Sequence, residues 1–349
     1  MILKSKVLIR RLQTILPLAF LAGLGLYALW PWLPVPGRAA PPSTVVFYGF
    51  SILGEVMNQG VFPAFQRQWQ EQTGERVEFV SSFAGSGTIT NQIIMGVPAQ
   101  MALLSLELDA QRLAGANVLP PESWHSLPHR GVVNRTPFII LVRPGNPRGI
   151  RDFADLARPG IQVVHPDPLT SGGANWAIIA EYGAGARARP DDPNAGYKLL
   201  LGIWRNVVAQ AASARAARTQ FENGFGDALI TYEQEVLHDR ARGRLQGEIV
   251  YPRSTILSEH TLVKIERNIN SEERALIEAF IACLWSEPAQ RIFVDHGFRS
   301  VDEQLNAANS SFGRIEDPFL IEDYGGWQTA KREIVDGIWK NRVLGEIGR

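Results

Sequence analysis

From residue 43 onward the chain repeats one pattern: a short apolar run with strand character, then a segment whose apolar residues recur at helical spacing. Strands separated by helices pair in parallel and need helices packed on the sheet, so this order points to an α/β architecture. Thr44-Val-Val-Phe-Tyr48, Val77-Glu-Phe-Val80, Met101-Ala-Leu-Leu104, Phe138-Ile-Ile-Leu-Val142, Ile161-Gln-Val-Val164 and Asp227-Ala-Leu-Ile-Thr231 read as strands. Phe62, Phe65 and Trp69 share one face of a helix over Phe62–Gln72, which Gly74 ends. Further helices are expected over 174–182 and 197–205, with one amphipathic helix over 271–293. The turn-rich segment Arg143-Pro-Gly-Asn-Pro-Arg-Gly149 is expected to be a crossing between two lobes, and 252–261 the return. A chain of 349 residues is long enough for two lobes. The expected organisation is lobe one over 43–142 plus 258–300, lobe two over 143–257, and a C-terminal segment 301–349 that packs on either. No internal repeat is visible.

The first 38 residues have their own character. Their only charges are Lys4, Lys6, Arg10, Arg11 and Arg38, and an apolar run extends from Ile15 to Leu33. That run approaches the ~20 residues that span a bilayer, and its basic flank predicts a cytoplasmic N-terminus with the body outside. The expectation for residues 1–40 is a signal peptide or an uncleaved membrane anchor, with the anchor favoured. The run is long, Pro41 and Pro42 follow the small residues, and no cysteine is near for lipid attachment. Lys plus Arg and Asp plus Glu are both 35, so without those five cations the body holds 30 basic against 35 acidic residues. A mildly acidic body argues against nucleic acid as a partner and requires that any bound anion be held by local dipoles. The one cysteine, Cys283, lies in an apolar run and reads as an inert core residue. No cofactor and no metal site is expected.

Two loops share a physical logic. Gly85-Ser-Gly87 follows a strand and opens a helix, and so does Thr170-Ser-Gly-Gly-Ala-Asn-Trp176. The first N–H groups of a helix lack intrahelical partners, the macrodipole there favours negative charge, and glycine lets the backbone approach a ligand. Either loop alone is explained by a capping serine with turn glycines. Two such loops, one per lobe, point to an anion held between the lobes.

The string Arg143-Pro-Gly-Asn-Pro-Arg-Gly-Ile-Arg-Asp-Phe-Ala-Asp-Leu156, with Arg158-Pro-Gly-Ile-Gln-Val-Val164, Thr170–Trp176, Ala214-Arg215, Gly226-Asp-Ala-Leu-Ile-Thr-Tyr-Glu-Gln-Glu235 and Gly325-Gly-Trp327, resembles the sulfate-binding proteins of bacterial ABC importers from about Val46 to near the C-terminus. The resemblance implies a two-lobed periplasmic-binding-protein fold (type II) that closes on sulfate or thiosulfate and presents it to ABC permease subunits, as a non-enzymatic, extracytoplasmic monomer. It also implies the site. Ser86 is the lobe-one donor; Ser171, through backbone and hydroxyl, and the N–H groups of Gly172 and Gly173 form the lobe-two cradle. The N–H of Ala214 adds a donor, and Gly49 contributes its backbone N–H. Tyr232 stands where the family has a tryptophan donor, Gly49 where it has aspartate, and Thr88 where it has lysine.

Sulfate carries no proton at neutral pH, so a site made only of donors suits it, whereas hydrogen phosphate would leave a buried donor unpaired at ~1–3 kcal/mol. The expectation is a donor-only site selective for sulfate, with Glu233 turned to the opposite face from Tyr232. Molybdate and phosphate are alternative ligands, and a membrane-tethered oxyanion sensor is the alternative role. An enzyme reading fares worse. Phe83-Ala-Gly-Ser-Gly87 has alanine where a nucleophile elbow needs glycine, and no P-loop lysine follows either loop. Gly183-Ala-Gly-Ala-Arg-Ala188 follows a helix and so fails as a dinucleotide fingerprint. His125 and His129 read as loop histidines, because Pro128 breaks any helix that would align them.

Overall fold

Strand β1 (Ser43–Phe50) runs parallel to β2 (Val77–Ala84) on one side and to β3 (Met101–Leu104) on the other. The computed structural model describes residues 20–25, 27 and 41–348, in two units, Met1–Pro42 and Ser43–Arg349. In the first unit residues 20–25 and 27 are helical, and Phe20, Leu21, Leu24 and Tyr27 are exposed. Most of the 15–33 segment expected to anchor the chain lies outside the described residues. Among the described residues no helix is long and apolar enough to cross a membrane.

The second unit is built on strands in the order β2-β1-β3-β9-β4-β7-β5-β6. β4 (Val132–Val142) and β9 (Ser254–Lys264) are the longest, and they join two halves. β4 pairs antiparallel with β9 through Val132–Pro137, then with β7 (Ala228–Tyr232) through Phe138–Val142. In the second half β5 (Val163–Pro166) lies parallel to both β6 (Val207–Ala211) and β7, and β8 (Glu248–Val250) pairs with β4. The change of sheet therefore falls inside a strand, between Pro137 and Phe138, and not at the turn 143–149. That turn belongs to the second half, where the Arg143 guanidinium donates to the carbonyls of Phe221, Phe225 and Gly226 and lies 3.8 Å from the Phe221 ring centroid.

Helix α1 (Phe62–Thr73) packs Phe62 and Phe65 on the first sheet, where the Phe62 and Phe79 rings stack at 4.0 Å, and Gly74 ends it. α2 (Ser86–Ile94) follows β2, and α3 (Glu107–Gly115) follows β3. In the second half α4 (Phe153–Leu156) precedes β5, and α5 (Gly172–Ala188) follows it. α6 (Ala195–Arg205) leads into β6, α7 (Ala214–Glu222) lies between β6 and β7, and α8 (Glu233–Ala241) follows β7. Gly183-Ala-Gly-Ala-Arg-Ala188 is the last part of α5, which is buried on nearly every side. The helix expected over 271–293 is two, α9 (Arg274–Cys283) and α10 (Glu287–Asp295). Ser286 caps the second through an Ala289 N–H bond, with Pro288 in its first turn. Cys283 is half-buried and burial pushes its thiol up.

The C-terminal segment touches both halves. β10 (Arg299–Ser300) pairs with β4, and β11 (Asp317–Phe319) with β9. α11 (Glu303–Ala307) lies between them, and α12 (Gly326–Ala330) runs into a π-helical stretch, Lys331–Val343, and α13 (Leu344–Ile347). The Trp327 ring lies edge-on to Trp176 of α5 at 4.4 Å, and Trp339 to Trp204 of α6 at 4.9 Å. Trp204 is core as expected, with its indole N–H on the buried Glu181 carboxylate at 3.0 Å.

Candidate functional site

The carboxyl ends of β2, β5 and β6 feed three helices whose first turns meet. A Cβ built on Gly85 would lie 2.5 Å from the Thr170 carbonyl oxygen and 2.6 Å from that of Ala212. The loop before α2 is thus pressed against the loops before α5 and α7 of the other half. Thr170 Oγ1 donates to the Ala212 carbonyl at 3.0 Å and ties those two loops together. Ser86, Gly172 and Ala214 hold the first position of α2, α5 and α7, and Gly173 the second of α5, so their N–H groups have no intrahelical acceptor. α7 is capped by Ser213, whose Oγ accepts from the Ala216 N–H at 3.1 Å. Three macrodipoles pointing into one cleft favour an anion there without any counter-charge.

The serines differ from the expected picture. The Ser171 N–H is committed to the Asp167 carbonyl at 2.8 Å, so this residue's offer to a ligand is its hydroxyl, which makes no capping bond to α5. Ser86 Oγ donates to the buried Asp109 Oδ2 at 2.6 Å and accepts from the Ser105 N–H at 3.0 Å. Its hydroxyl proton is spent inside the first half, which leaves the backbone N–H as its donor. Burial pushes the Asp109 carboxyl up, against the hydrogen bond from Ser86 and the charge of Arg112. A cavity of about 200 Å³ opens at the start of α5, lined there by Ser171 and Gly172, by Asp109 and Arg112 across from them, and by Lys331 and Trp339 of the C-terminal stretch.

Tyr232 ends β7 and is 1% exposed. Its hydroxyl lies 2.8 Å from Ser105 Oγ, and burial pushes the phenol up, so it stays protonated. Ser105 also accepts, through its carbonyl, from the Trp176 indole N–H at 2.6 Å. Gly172 and Gly173 make this packing possible: a Cβ on Gly172 would lie 2.7 Å from Ser105 Oγ, and one on Gly173 2.9 Å from the Tyr232 hydroxyl. Gly49 sits in the sheet between Phe83 and Leu103, with the Phe83 ring 2.9 Å from where its Cβ would be; its neighbour Phe50 is the residue whose ring meets that of Tyr232. Glu233 is turned away from the cleft, but because it opens α8 and pairs with Arg299 at 2.8 Å, not because the strand continues.

Two hydroxyls of the expected donor set are thus engaged within the protein. The Ser86 proton goes to a carboxylate, and the Tyr232 hydroxyl is paired with that of Ser105, either of which can be the donor. Ser105, Asp109 and Trp176 were not singled out as site residues. The available signal was position: Ser105 is the first polar residue after a fully buried strand, and ligands of open α/β sheets gather at the carboxyl ends of strands. His125 lies on Glu107 at 2.6 Å on another face, and among the described residues no cluster suited to a metal ion is present.

The model of the bacterial extracellular solute-binding protein family matches residues 58–299. The sulfate-binding protein of Synechococcus elongatus is 30% identical over 313 residues, 88% of this chain and 88% of its own. The thiosulfate-binding protein of Escherichia coli is 32% identical over 277 residues, 76% of this chain and 80% of its own. Among solved structures, the sulfate-binding protein SubI from Mycobacterium tuberculosis superposes with a TM-score of 0.75 at 28% identity, covering 83% of this chain and 99% of that one. The mixed α/β fold is that of type II periplasmic binding proteins. This chain belongs to the sulfate-binding protein family of bacterial extracellular solute-binding proteins.

Proposed function

We propose that the protein binds sulfate or thiosulfate between its two halves and delivers it to an ABC importer, outside the cytoplasm and without catalysis. The observation that carries this reading is the meeting of the α2, α5 and α7 N-termini across the cleft, with Gly85 against the Thr170 and Ala212 carbonyls. The proposed contacts are the N–H groups of Ser86, Gly172, Gly173 and Ala214, the Ser171 hydroxyl and the Tyr232 phenol, with Gly49 lying behind them in the sheet. An anion bridging both halves gains contacts that only the closed form offers, so binding shifts the population toward closure about β4 and β9. The closed form is the one presented to a permease. Residues 15–33 fit a membrane anchor that holds the body near that permease. Calorimetric titration of the purified protein with sulfate, thiosulfate and molybdate is the test. One-to-one binding of sulfate or thiosulfate, tighter than molybdate, supports the reading; no heat with any of the three overturns it.

A further inference from the structure

We propose that the Ser105–Tyr232 hydroxyl pair lets this cleft take a singly protonated tetrahedral oxyanion, monohydrogen phosphate, alongside fully deprotonated sulfate, and that Ser105 is the residue that decides it. The proposal rests on the anion-cleft reading above and adds the ligand's protonation state to it.

The reasoning is a count of protons. Ser105 and Tyr232 are each 1% exposed, and their oxygens are 2.8 Å apart, so one hydroxyl proton lies between them and one is left over. In one arrangement Ser105 donates to Tyr232, and Tyr232 donates into the cleft. In the other, Tyr232 donates to Ser105, Ser105 donates into the cleft, and the phenol oxygen is free to accept. The two differ by rotation of two hydroxyls and break no bond between them. Both leave one donor and one accepting oxygen for the ligand, with Ser105 Oγ accepting in the first and the phenol oxygen in the second, so a singly protonated oxyanion can use both while sulfate uses the donor alone.

Tyr232 alone lacks this freedom. To accept from a ligand it must place its own proton elsewhere, and Ser105 Oγ is the oxygen within reach. That oxygen is held in place from both halves: the Ser105 N–H is bonded to Ser86 Oγ at 3.0 Å, and its carbonyl accepts from Trp176 at 2.6 Å. Both hydroxyls lie over the first turn of α5, where a Cβ on Gly172 or Gly173 would displace them. Ser86 cannot restore the donor-only balance, because Asp109 holds its proton.

The test is calorimetric titration with sulfate and with inorganic phosphate at about pH 8, where phosphate is mostly the monohydrogen dianion and the two ligands carry similar charge. The wild-type protein is expected to bind phosphate within roughly thirtyfold of sulfate, and Ser105→Ala to lose roughly ten- to hundredfold for phosphate but under about threefold for sulfate. Tyr232→Phe, which removes the accepting phenol, is expected to move the phosphate-to-sulfate ratio in the same direction. A change in that ratio is not produced by a general loosening of the fold, which weakens both ligands. Phosphate inert toward a wild type that binds sulfate overturns this proposal alone, as does an unchanged ratio in both variants. Failure of both ligands overturns the anion-cleft reading and this proposal with it. If Ser105→Ala does not fold, the wild-type ratio and Tyr232→Phe decide.

Discussion

A methyl group at position 85 would lie 2.5 and 2.6 Å from two carbonyl oxygens of the opposite half. Both are backbone atoms, so no side chain can swing aside, and the relief open to Gly85→Ala is separation of the halves. Its sulfate affinity should fall by about a hundredfold or more, the change expected when contacts of one whole half are lost. Small-angle scattering in saturating sulfate should show a larger radius of gyration than the wild type, and equal radii would refute the steric account. Ser171→Ala acts more gently. It removes one hydroxyl donor and leaves the glycine N–H groups in place, so binding should weaken by about 1–2 kcal/mol. Unchanged affinity would place the Ser171 hydroxyl outside the site. Neither effect is visible from residue type alone: glycine at 85 and serine at 171 also suit ordinary helix starts.

At the scale of elements, α8 carries the electrostatic join between the halves. Glu55, just after β1, places Oε2 2.7 Å from His238 Nε2 of α8, and its other oxygen meets the Arg242 guanidinium at the end of that helix. Burial pushes the Glu55 carboxyl up, but the contact with His238 and the charges of His238, Arg242 and Arg215 outweigh it and hold it below its usual range. Gln59 adds an Arg242 hydrogen bond at 2.7 Å. In the second half Arg218 meets Asp239 at 2.6 Å and Arg215 meets Glu235 at 2.7 Å, so the surface facing Glu55 is already ordered. Glu55→Gln should weaken closure and raise the sulfate Kd by roughly three- to tenfold, with a smaller effect at high salt, since partly exposed pairs are screened. A Kd change that does not depend on salt would show that the role of Glu55 is not electrostatic. The motif Ala214-Arg215 and the run Glu233-Gln-Glu235 are visible in the sequence; that their charges continue across to Glu55 is not.

For the whole molecule, acid is the relevant stress. His260 lies on β9 between the halves, with Nδ1 2.5 Å from Asn134 Oδ1 of β4, and burial lowers its imidazole to about 3. The unfolded chain takes up that proton near its ordinary value of ~6.5, and the folded one does not until about 3. Between those values the unfolded state binds more protons, so this residue costs stability as pH falls, by up to about 1.4 kcal/mol per unit. Asp109 and Glu259, both pushed up by burial, bind protons in the folded state and act in the opposite sense. Thermal unfolding from about pH 7 to about pH 5 should therefore show a shallower loss in His260→Gln than in the wild type. Parallel slopes would remove His260 from the acid response.

What the sequence determined by itself was the alternation of strands and helices, the two glycine–serine loops at helix starts, and the family resemblance along the body. These depend on neighbours within a turn or two, where the period of apolar residues and the identity of a cap are sufficient. The helix expected over 271–293 failed at Ser286 because a cap and Pro288 override the apolar period locally. The tertiary structure alone decided that β4 changes sheets at Pro137, that Ser86 gives its proton to Asp109, and that the Tyr232 hydroxyl is paired with that of Ser105, a partner 127 residues away. The physical reason is that a hydroxyl both donates and accepts. Which it does is set by the atoms folded against it, and those atoms come from parts of the chain that no local pattern connects.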